Sequence, residues 1–187
     1  MDADFLLIKK MKRGDETALD LFVHKYYGEI LKYCGYHCAD RAYAEDLTQE
    51  TFVHFFAKLS KYQYRGKTKN YLYTIAGNLC RDFYRKAREL PAEEQALQEN
   101  IEAEDCSMEY SILNKLMIES ALGQLSDELR EIVILYFFQE LKLAEIADIL
   151  GISLSLVKYR VRQSKILLKE VMRKEEQHDS RGTTYSI

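Results

Sequence analysis

Side chains suited to reading DNA follow a tight turn in the last third of the chain. Ser153 is placed to cap a helix there. The inner face of that helix would carry Leu156, Val157 and Val161. Helical spacing leaves an outer polar set, which consists of Ser155, Lys158, Tyr159, Arg162 and Gln163. Because forked and flexible donors of these types bind base edges and phosphates in the major groove, the outer set predicts a surface for duplex DNA.

The segment before this helix has the other parts of a helix-turn-helix. Ile146, Ala147 and Leu150 form the inner face of a short helix, and the small Ala147 lets a second helix cross closely. Gly151 falls where the chain must turn with a positive φ, which glycine adopts without steric cost. Ile152 can fill the corner. An ordinary helical hairpin with a basic surface is the alternative, because short motifs also match by chance.

A second set of residues mixes aromatic rings with cations. The rings are Tyr62, Tyr64, Tyr71, Tyr73, Phe83 and Tyr84, and the cations are Lys61, Arg65, Lys67, Lys69, Arg81, Arg85, Lys86 and Arg88. Aromatic faces stack on unpaired bases while cations hold the backbone beside them, so this set suits single-stranded DNA. The alternative is that half of the rings belong to the core, as we expect for Phe83.

A metal-binding switch is a third possibility. Cys34, His37 and Cys38 lie close together, with His24 on the preceding turns, and helical spacings of three and four can supply metal ligands. The alternative is a group of buried or half-buried thiols in a helical core. We favour the second interpretation and expect neither a metal nor another cofactor.

Enzymatic activity is disfavoured by what accompanies the acidic residues. Glu45, Asp46 and Glu50 could act as paired carboxylates. No His, Ser or Cys nucleophile arrangement accompanies them, and the sequence contains no glycine-rich phosphate loop. The sequence therefore predicts a protein that is not an enzyme.

Charge is segregated along the chain, although the net charge is only −3. Residues 89–114 contain eight acidic side chains and no basic one, whereas residues 158–174 contain seven basic side chains and one acidic one. Residues 81–88 contain four basic side chains and one acidic one. Clustered positive charge is what binds phosphate, so the segregation permits nucleic-acid binding. Solvated helix faces are the alternative explanation for such runs.

Composition predicts an all-α protein with two small helical domains. The 187 residues are 47% hydrophobic and include one Pro and eight Gly, which favours helices over a loop-rich β protein. We expect a first domain over residues 1–89, an acidic flexible linker over 90–111, a second domain over 112–175 and a disordered tail over 176–187. Predicted helices lie at about 4–12, 16–34, 42–59, 70–88, 112–122, 127–136, 143–150 and 154–174.

The N-terminus and the hydropathy predict a cytoplasmic protein without membrane insertion. No basic segment precedes the first apolar run, and Lys9 and Lys10 end that run early, so a signal peptide is not expected. No apolar run approaches the ~18 residues of a membrane span. The four cysteines are then expected as free thiols.

Four motifs in this order resemble the sigma-70 family, in its short extracytoplasmic-function (ECF) group. The opening motif is GDETALDLF over residues 14–22, and YAEDLTQETF over residues 43–52 is similar to the polymerase-binding helix. The stretch YLYTIAGNLCRDF over residues 71–83 resembles the promoter-melting helix. LSDELREIV over residues 125–133, continuing through the helix-turn-helix, resembles the final domain. The resemblance covers roughly residues 5–173.

The resemblance implies a role for each group of residues. Core RNA polymerase would be bound through Asp46, Gln49, Glu50 and Phe52. The minus-ten element, once unpaired, would be bound through Tyr62, Tyr64, Arg65, Lys67, Tyr71, Asn78 and Arg81. The minus-thirty-five element would be read as duplex through Ser155, Lys158, Tyr159, Arg162 and Gln163. The acidic linker would thread a basic channel of the polymerase.

The partners implied are therefore core RNA polymerase and promoter DNA, and an anti-sigma protein is a further candidate. The alternative function is a helix-turn-helix regulator that binds duplex DNA without engaging polymerase. Such a regulator would account for the helix-turn-helix but not for the acidic face of Asp46, Gln49 and Glu50 or for the aromatic loop.

Overall fold

Helices are the only regular elements within the described part of the chain, which a computed structural model gives as residues 3–38, 40–89, 118 and 120–182. These residues form two compact units, one centred on the first four helices and the other on the helices after Ser126. The all-α, two-domain prediction is confirmed. The predicted linker and most of the predicted helix at 112–122 lie outside the described residues.

The N-terminal unit contains four helices. They are α1 (Ala3–Met11), α2 (Glu16–His37), α3 (Arg41–Ala57) and α4 (Thr68–Glu89). The sequence predicts Asp15 as the cap of α2, and the structure confirms it: the Asp15 carboxylate accepts from Ala18 N at 3.0 Å. Asp40 caps α3 by accepting from Ala42 N at 2.7 Å. Thr68, which the sequence predicts as the cap of α4, is instead the first residue of that helix.

Helix α2 continues through Gly35, where we predicted a break. A glycine inside a helix costs only about 1 kcal/mol relative to alanine. The residues around it are buried on one side of the helix: Tyr33 and Cys34 are fully buried and His37 is 7% exposed. Burial of these side chains outweighs the weak local preference, so tertiary packing decides where the helix ends.

Aromatic rings fill the core between α2, α3 and α4. Phe22 of α2 stacks on Phe55 of α3 with ring centroids 4.7 Å apart, and Tyr33 of α2 lies 5.2 Å from Tyr73 of α4. All four rings are fully buried. Each large side chain contributes about 1.5–3 kcal/mol through burial, so these rings fix the three helices against one another.

A buried carboxylate ties α1 to α2. Asp4 accepts hydrogen bonds from the Tyr26 hydroxyl and, at 2.5 Å, from Lys25 Nζ. Burial, followed by the hydrogen bond and charge of Asp4, raises the pKa of Tyr26 well above its ordinary value of 10.0. The neutral hydroxyl is therefore the form that the fold requires.

Alkaline pH is expected to destabilise the N-terminal unit through Tyr26. Because the folded-state pKa is raised, the stabilisation is complete below pH ~10 and is lost as pH rises above it. One such group lowers the free energy of unfolding by at most about 1.4 kcal/mol per pH unit. Urea unfolding between pH 8 and 11 measures this slope, which Tyr26→Phe should flatten. Tyr159→Phe, at a ring 61% exposed, is the control, and equal slopes for Tyr26→Phe and wild type would contradict the prediction.

The C-terminal unit contains α5 (Asp127–Val133), a π-helical turn (Ile134–Phe138), α6 (Leu143–Leu150) and α7 (Leu154–Gly182). Its fully buried side chains include Ile132, Ile134, Leu135, Ile146 and Val157. The sequence also predicts Ser126 as the cap of α5; Ser126 occupies that position, but its side chain makes no capping hydrogen bond.

Two features of this unit differ from the sequence prediction. Gln139 N donates to Ile134 O at 3.0 Å, so the chain makes a wider turn where a continuous α-helix was expected. Helix α7 also extends to Gly182, although residues 176–182 were predicted to be disordered. Glu176 and Gln177, which begin this polar stretch, are good helix formers, so polarity alone did not mark the end of the helix. Residues 183–187 lie outside the described chain.

Candidate functional site

The turn between α6 and α7 has the geometry that the sequence predicts. Gly151 adopts φ 65° and ψ 30°, in the left-handed region. The amide of Ile152 donates to Ala147 O at 3.1 Å, which closes the end of α6. Ser153 Oγ then accepts from Leu156 N at 3.2 Å and caps α7. These contacts fix where α7 begins, and with it the direction of every side chain on its first turns.

Helix α7 separates a buried face from an exposed one. Val157 is fully buried and Val161 is 7% exposed, as predicted for the inner face. All five residues predicted to contact duplex DNA lie on the exposed face: Ser155, Lys158, Tyr159, Arg162 and Gln163. Arg160 is turned away from them, because its guanidinium pairs with Glu128 at 3.1 Å. The exposed stripe can therefore enter a groove of duplex DNA without disturbing the core.

The loop between α3 and α4 carries two stacked tyrosine rings. Tyr62 and Tyr71 lie 5.0 Å apart at an interplanar angle of 25°. Phe55 of the core lies behind both rings, at 5.3 Å from Tyr62 and 6.1 Å from Tyr71. Both tyrosines are half-buried, as is Tyr64. Each half-buried ring keeps part of its surface in solvent, where a base could stack.

Polar and basic side chains surround these rings. Arg65, Lys67, Asn78 and Arg81 are exposed, and Asn78 Oδ1 accepts a hydrogen bond from the Arg81 guanidinium. Lys69 pairs with Glu29 at 2.9 Å. The structure thus brings aromatic rings, an exposed amide and several cations together at the loop and the adjoining helix.

Two of the predicted aromatic residues belong to the interior to different degrees. Tyr73 is fully buried, so its assignment to a base-stacking surface is wrong. Phe83 is half-buried and packs on Tyr43 with ring centroids 5.0 Å apart, in line with the expected core role. Because residues two apart on a helix point to different sides, Tyr71 and Tyr73 could not both face solvent, but their spacing alone does not say which of the two faces the core.

Of the residues predicted to bind polymerase, the polar ones on α3 are exposed, but the aromatic one is buried. Asp46, Gln49 and Glu50 are exposed. Phe52 is only 4% exposed and stacks on Tyr27 at 6.2 Å, so its assignment to the docking surface is wrong and it is a core residue. The large apolar side chain that α3 does expose is Val53, at 63%. It lies four residues after Gln49, a spacing that could have identified it.

The cysteine and histidine cluster is part of the interior. Cys34 is fully buried, Cys38 is 5% exposed and His37 is 7% exposed. Burial, with a smaller effect of Cys34 and Asp40, raises the pKa of the Cys38 thiol to about 12. This environment disfavours the thiolate that metal binding requires. Within the described residues, no group of three or more His, Cys, Asp or Glu side chains is arranged to hold a metal ion.

Together these features define a class of protein: a helical DNA-binding factor that combines a helix-turn-helix with an exposed aromatic and basic loop. The family description Sigma-70 region 2 matches residues 22–89, and Sigma-70, region 4 matches residues 115–168. The RNA polymerase sigma factor YlaC of Bacillus subtilis (strain 168) is 31% identical over 173 residues, which are 90% of this chain and 99% of that protein. The chain belongs to the sigma-70 family of RNA polymerase sigma factors.

Further similarities agree with the ECF group. The ECF RNA polymerase sigma factor SigW of the same Bacillus strain is 28% identical over 179 residues, covering 89% of this chain and 95% of that protein. The solved structure of CnrH in complex with the cytosolic domain of CnrY has a TM-score of 0.75 at 21% identity, over 92% of this chain and 99% of that one. The sigma factor RpoE, solved with the anti-sigma factor NepR from Bartonella quintana, has a TM-score of 0.63 at 23% identity, over 83% and 96%. These two structures share the fold.

Membership of the family confirms the predicted function. The protein is an ECF-type transcription initiation factor that binds core RNA polymerase and directs it to promoters. A DNA-binding regulator that does not engage polymerase is not favoured. Sigma factors are regulatory proteins. None of the helices in the described ranges is both long and apolar enough to cross a bilayer.

Proposed function

We propose that this sigma factor divides promoter recognition between its two units. The residues proposed to read the minus-thirty-five element as duplex are Ser155, Lys158, Tyr159, Arg162 and Gln163. The observation that supports this assignment is the exposure of all five on one stripe of α7, while Val157 on the opposite face is fully buried. The proposed domains are residues 1–89 for polymerase and minus-ten binding and 112–175 for minus-thirty-five binding, with 90–111 as the linker and 176–187 as a tail.

The loop between α3 and α4 is proposed to bind the minus-ten element after the strands separate. The ring pair of Tyr62 and Tyr71 offers a surface on which an unpaired base can stack, whereas the bases of a closed duplex have no free face to stack there. Tyr64, Arg65 and Lys67 complete the loop. Asn78 and Arg81 follow on the exposed side of α4, where an amide can hydrogen-bond the edge of an unpaired base and a guanidinium can hold a phosphate.

The exposed face of α3 is proposed to bind core polymerase. Asp46, Gln49 and Glu50 supply charge and hydrogen-bonding groups, and Val53 supplies an apolar patch beside them. An acidic face with an apolar residue suits a basic partner surface that also buries some apolar area. Phe52 is left out of this surface because it is buried.

An anti-sigma protein and a cytoplasmic location complete the proposal. CnrH was solved with the cytosolic domain of CnrY, and RpoE was solved with an anti-sigma factor. A similar fold gives this chain surfaces of similar shape, which is the basis for proposing that kind of partner here. Core polymerase and promoter DNA are in the cytoplasm, where we place the protein.

The experiment that tests the function is promoter-directed transcription with purified components. The full chain is added to core RNA polymerase on genomic DNA, and transcript start sites are mapped. We expect a set of start sites that share two upstream elements and that disappear without the chain. If the chain binds duplex DNA but neither co-purifies with core polymerase nor creates start sites, it would instead be a helix-turn-helix regulator that does not engage polymerase.

A further inference from the structure

Helix α1 holds the proposed minus-ten loop through its backbone. Lys12, just after the end of α1, donates from Nζ to Tyr62 O at 2.6 Å and to Ser60 O at 3.3 Å. Both acceptors are main-chain carbonyls near the start of the loop. A single ammonium that bridges two carbonyls restricts the path of the chain between them, whatever side chains the loop carries.

A ring contact adds a second connection between the same two segments. Phe5 of α1 lies 5.8 Å from Tyr64, at an interplanar angle of 55°. Phe5 is 41% exposed, so this pair lies at the surface and not in the core. Together with Lys12, it connects the first and last turns of α1 to the loop at positions two residues apart.

Helix α1 is itself firmly attached to the unit. Ile8 is 3% exposed and Met11 is 4% exposed, and Asp4 is held by the Tyr26 hydroxyl. The loop needs such support because residues 62–65 adopt no regular structure and Gly66 has a φ of 72°. An irregular segment keeps one shape only where contacts from outside it restrict its dihedral angles.

We propose that α1 is a positioning element for the minus-ten loop and that Lys12 is its positioning residue. This inference rests on the proposed function of the loop. Lys12 would hold the loop in the shape that accepts an unpaired base, so that less conformational entropy is lost on binding. Lys12 itself would not contact DNA.

The test measures capture of unpaired DNA by the complete holoenzyme. The probe is a promoter fragment with a pre-opened minus-ten bubble, and affinity is compared for wild type, Lys12→Met and Lys12→Arg. The control is Lys9→Met, which removes the same charge from an exposed position on α1, three residues before Lys12. Hydrogen exchange of the peptide over residues 60–67 reports the order of the loop directly.

We expect Lys12→Met to weaken bubble capture roughly five- to tenfold, as befits the loss of a charge-assisted hydrogen bond at an exposed site. It should also accelerate hydrogen exchange over residues 60–67 and leave polymerase recovery unchanged. Lys12→Arg, which can reach the same carbonyls, should restore most of the affinity. Lys9→Met should behave like wild type in both measurements.

Three outcomes would overturn the inference. Bubble capture by Lys12→Met at the wild-type level would remove the functional role of the contact. Weakened capture with unchanged loop exchange, or equal weakening by Lys9→Met, would mean that charge near the DNA matters and not loop shape. Arg65→Ala and Tyr64→Ala separate these results from failure of the proposed function: if both variants captured the bubble normally, the loop itself would not be the minus-ten site.

Discussion

Charge reversal at Glu50 is expected to remove most of the binding of this sigma factor to core RNA polymerase. Glu50 lies on the exposed face of α3 with Asp46 and Gln49, and its carboxylate is 3.7 Å from His54 Nε2. A lysine there would repel the basic partner surface that the acidic face is proposed to meet. We expect Glu50→Lys to cost about 2–3 kcal/mol, or roughly 30- to 150-fold in affinity, and Asp46→Lys to act in the same direction.

Recovery of core polymerase on the immobilised chain measures this effect. Asp20→Lys is the matched control, because it makes the same charge change at an exposed position on α2. Circular dichroism should show unchanged helix content for all variants, since none of these side chains is buried. If Glu50→Lys recovered as much polymerase as Asp20→Lys, the polymerase face would have to be placed elsewhere on the molecule.

Arg162→Ala and Asn78→Ala are expected to fail at different steps of promoter recognition. Arg162 lies on the outer stripe of α7, so its loss should weaken binding to closed duplex by about 1–3 kcal/mol. Asn78 lies on the exposed side of α4, and its loss should spare duplex binding but hinder strand opening. A base contact or stacking interaction in the opened state is worth about 1–3 kcal/mol as well, so both defects should be easy to measure.

Permanganate footprinting on closed and pre-opened templates separates these steps. A pre-opened bubble removes the cost of melting, so it should rescue part of a melting defect but not a defect in base capture. Arg160→Ala is the control for Arg162→Ala, because it removes the same charge from the same helix at a side chain that faces Glu128. Normal promoter opening by Asn78→Ala together with normal duplex binding by Arg162→Ala would disprove both site assignments.

The helices and their caps could be predicted from the sequence more accurately than the burial of individual aromatic side chains. The cap at Asp15, the cap at Ser153 and the left-handed Gly151 all depend on local chemistry, so the sequence alone was sufficient. The wider turn over Ile134–Phe138 depends on one extra residue within a turn, which the spacing of apolar side chains does not reveal. The passage of α2 through Gly35 was decided by tertiary packing, which local preference cannot predict.

Tertiary packing also limited the prediction of the site residues. The polar residues of α3 and α7 were placed on the surface correctly, because burying charged groups without partners is costly. Phe52 was placed on the surface wrongly and Val53 was overlooked, since α3 carries apolar residues around most of its circumference and the sequence does not say which side meets α2. Tyr73 was misplaced for the same reason on α4.

The aromatic rings behind the proposed minus-ten loop have a genetic consequence. Phe55 packs against Tyr62 and Tyr71 and stacks on Phe22, and it belongs to α3, the helix that carries the proposed polymerase face. Alleles of Phe55 should therefore be pleiotropic, with promoter opening and polymerase recruitment impaired together. Alleles of Asn78 should impair promoter opening alone, and alleles of Glu50 should impair polymerase recruitment alone. Neither kind of allele should complement a Phe55 allele well. Promoter preference can then diversify through the exposed edges of the loop while the shared aromatic support stays fixed.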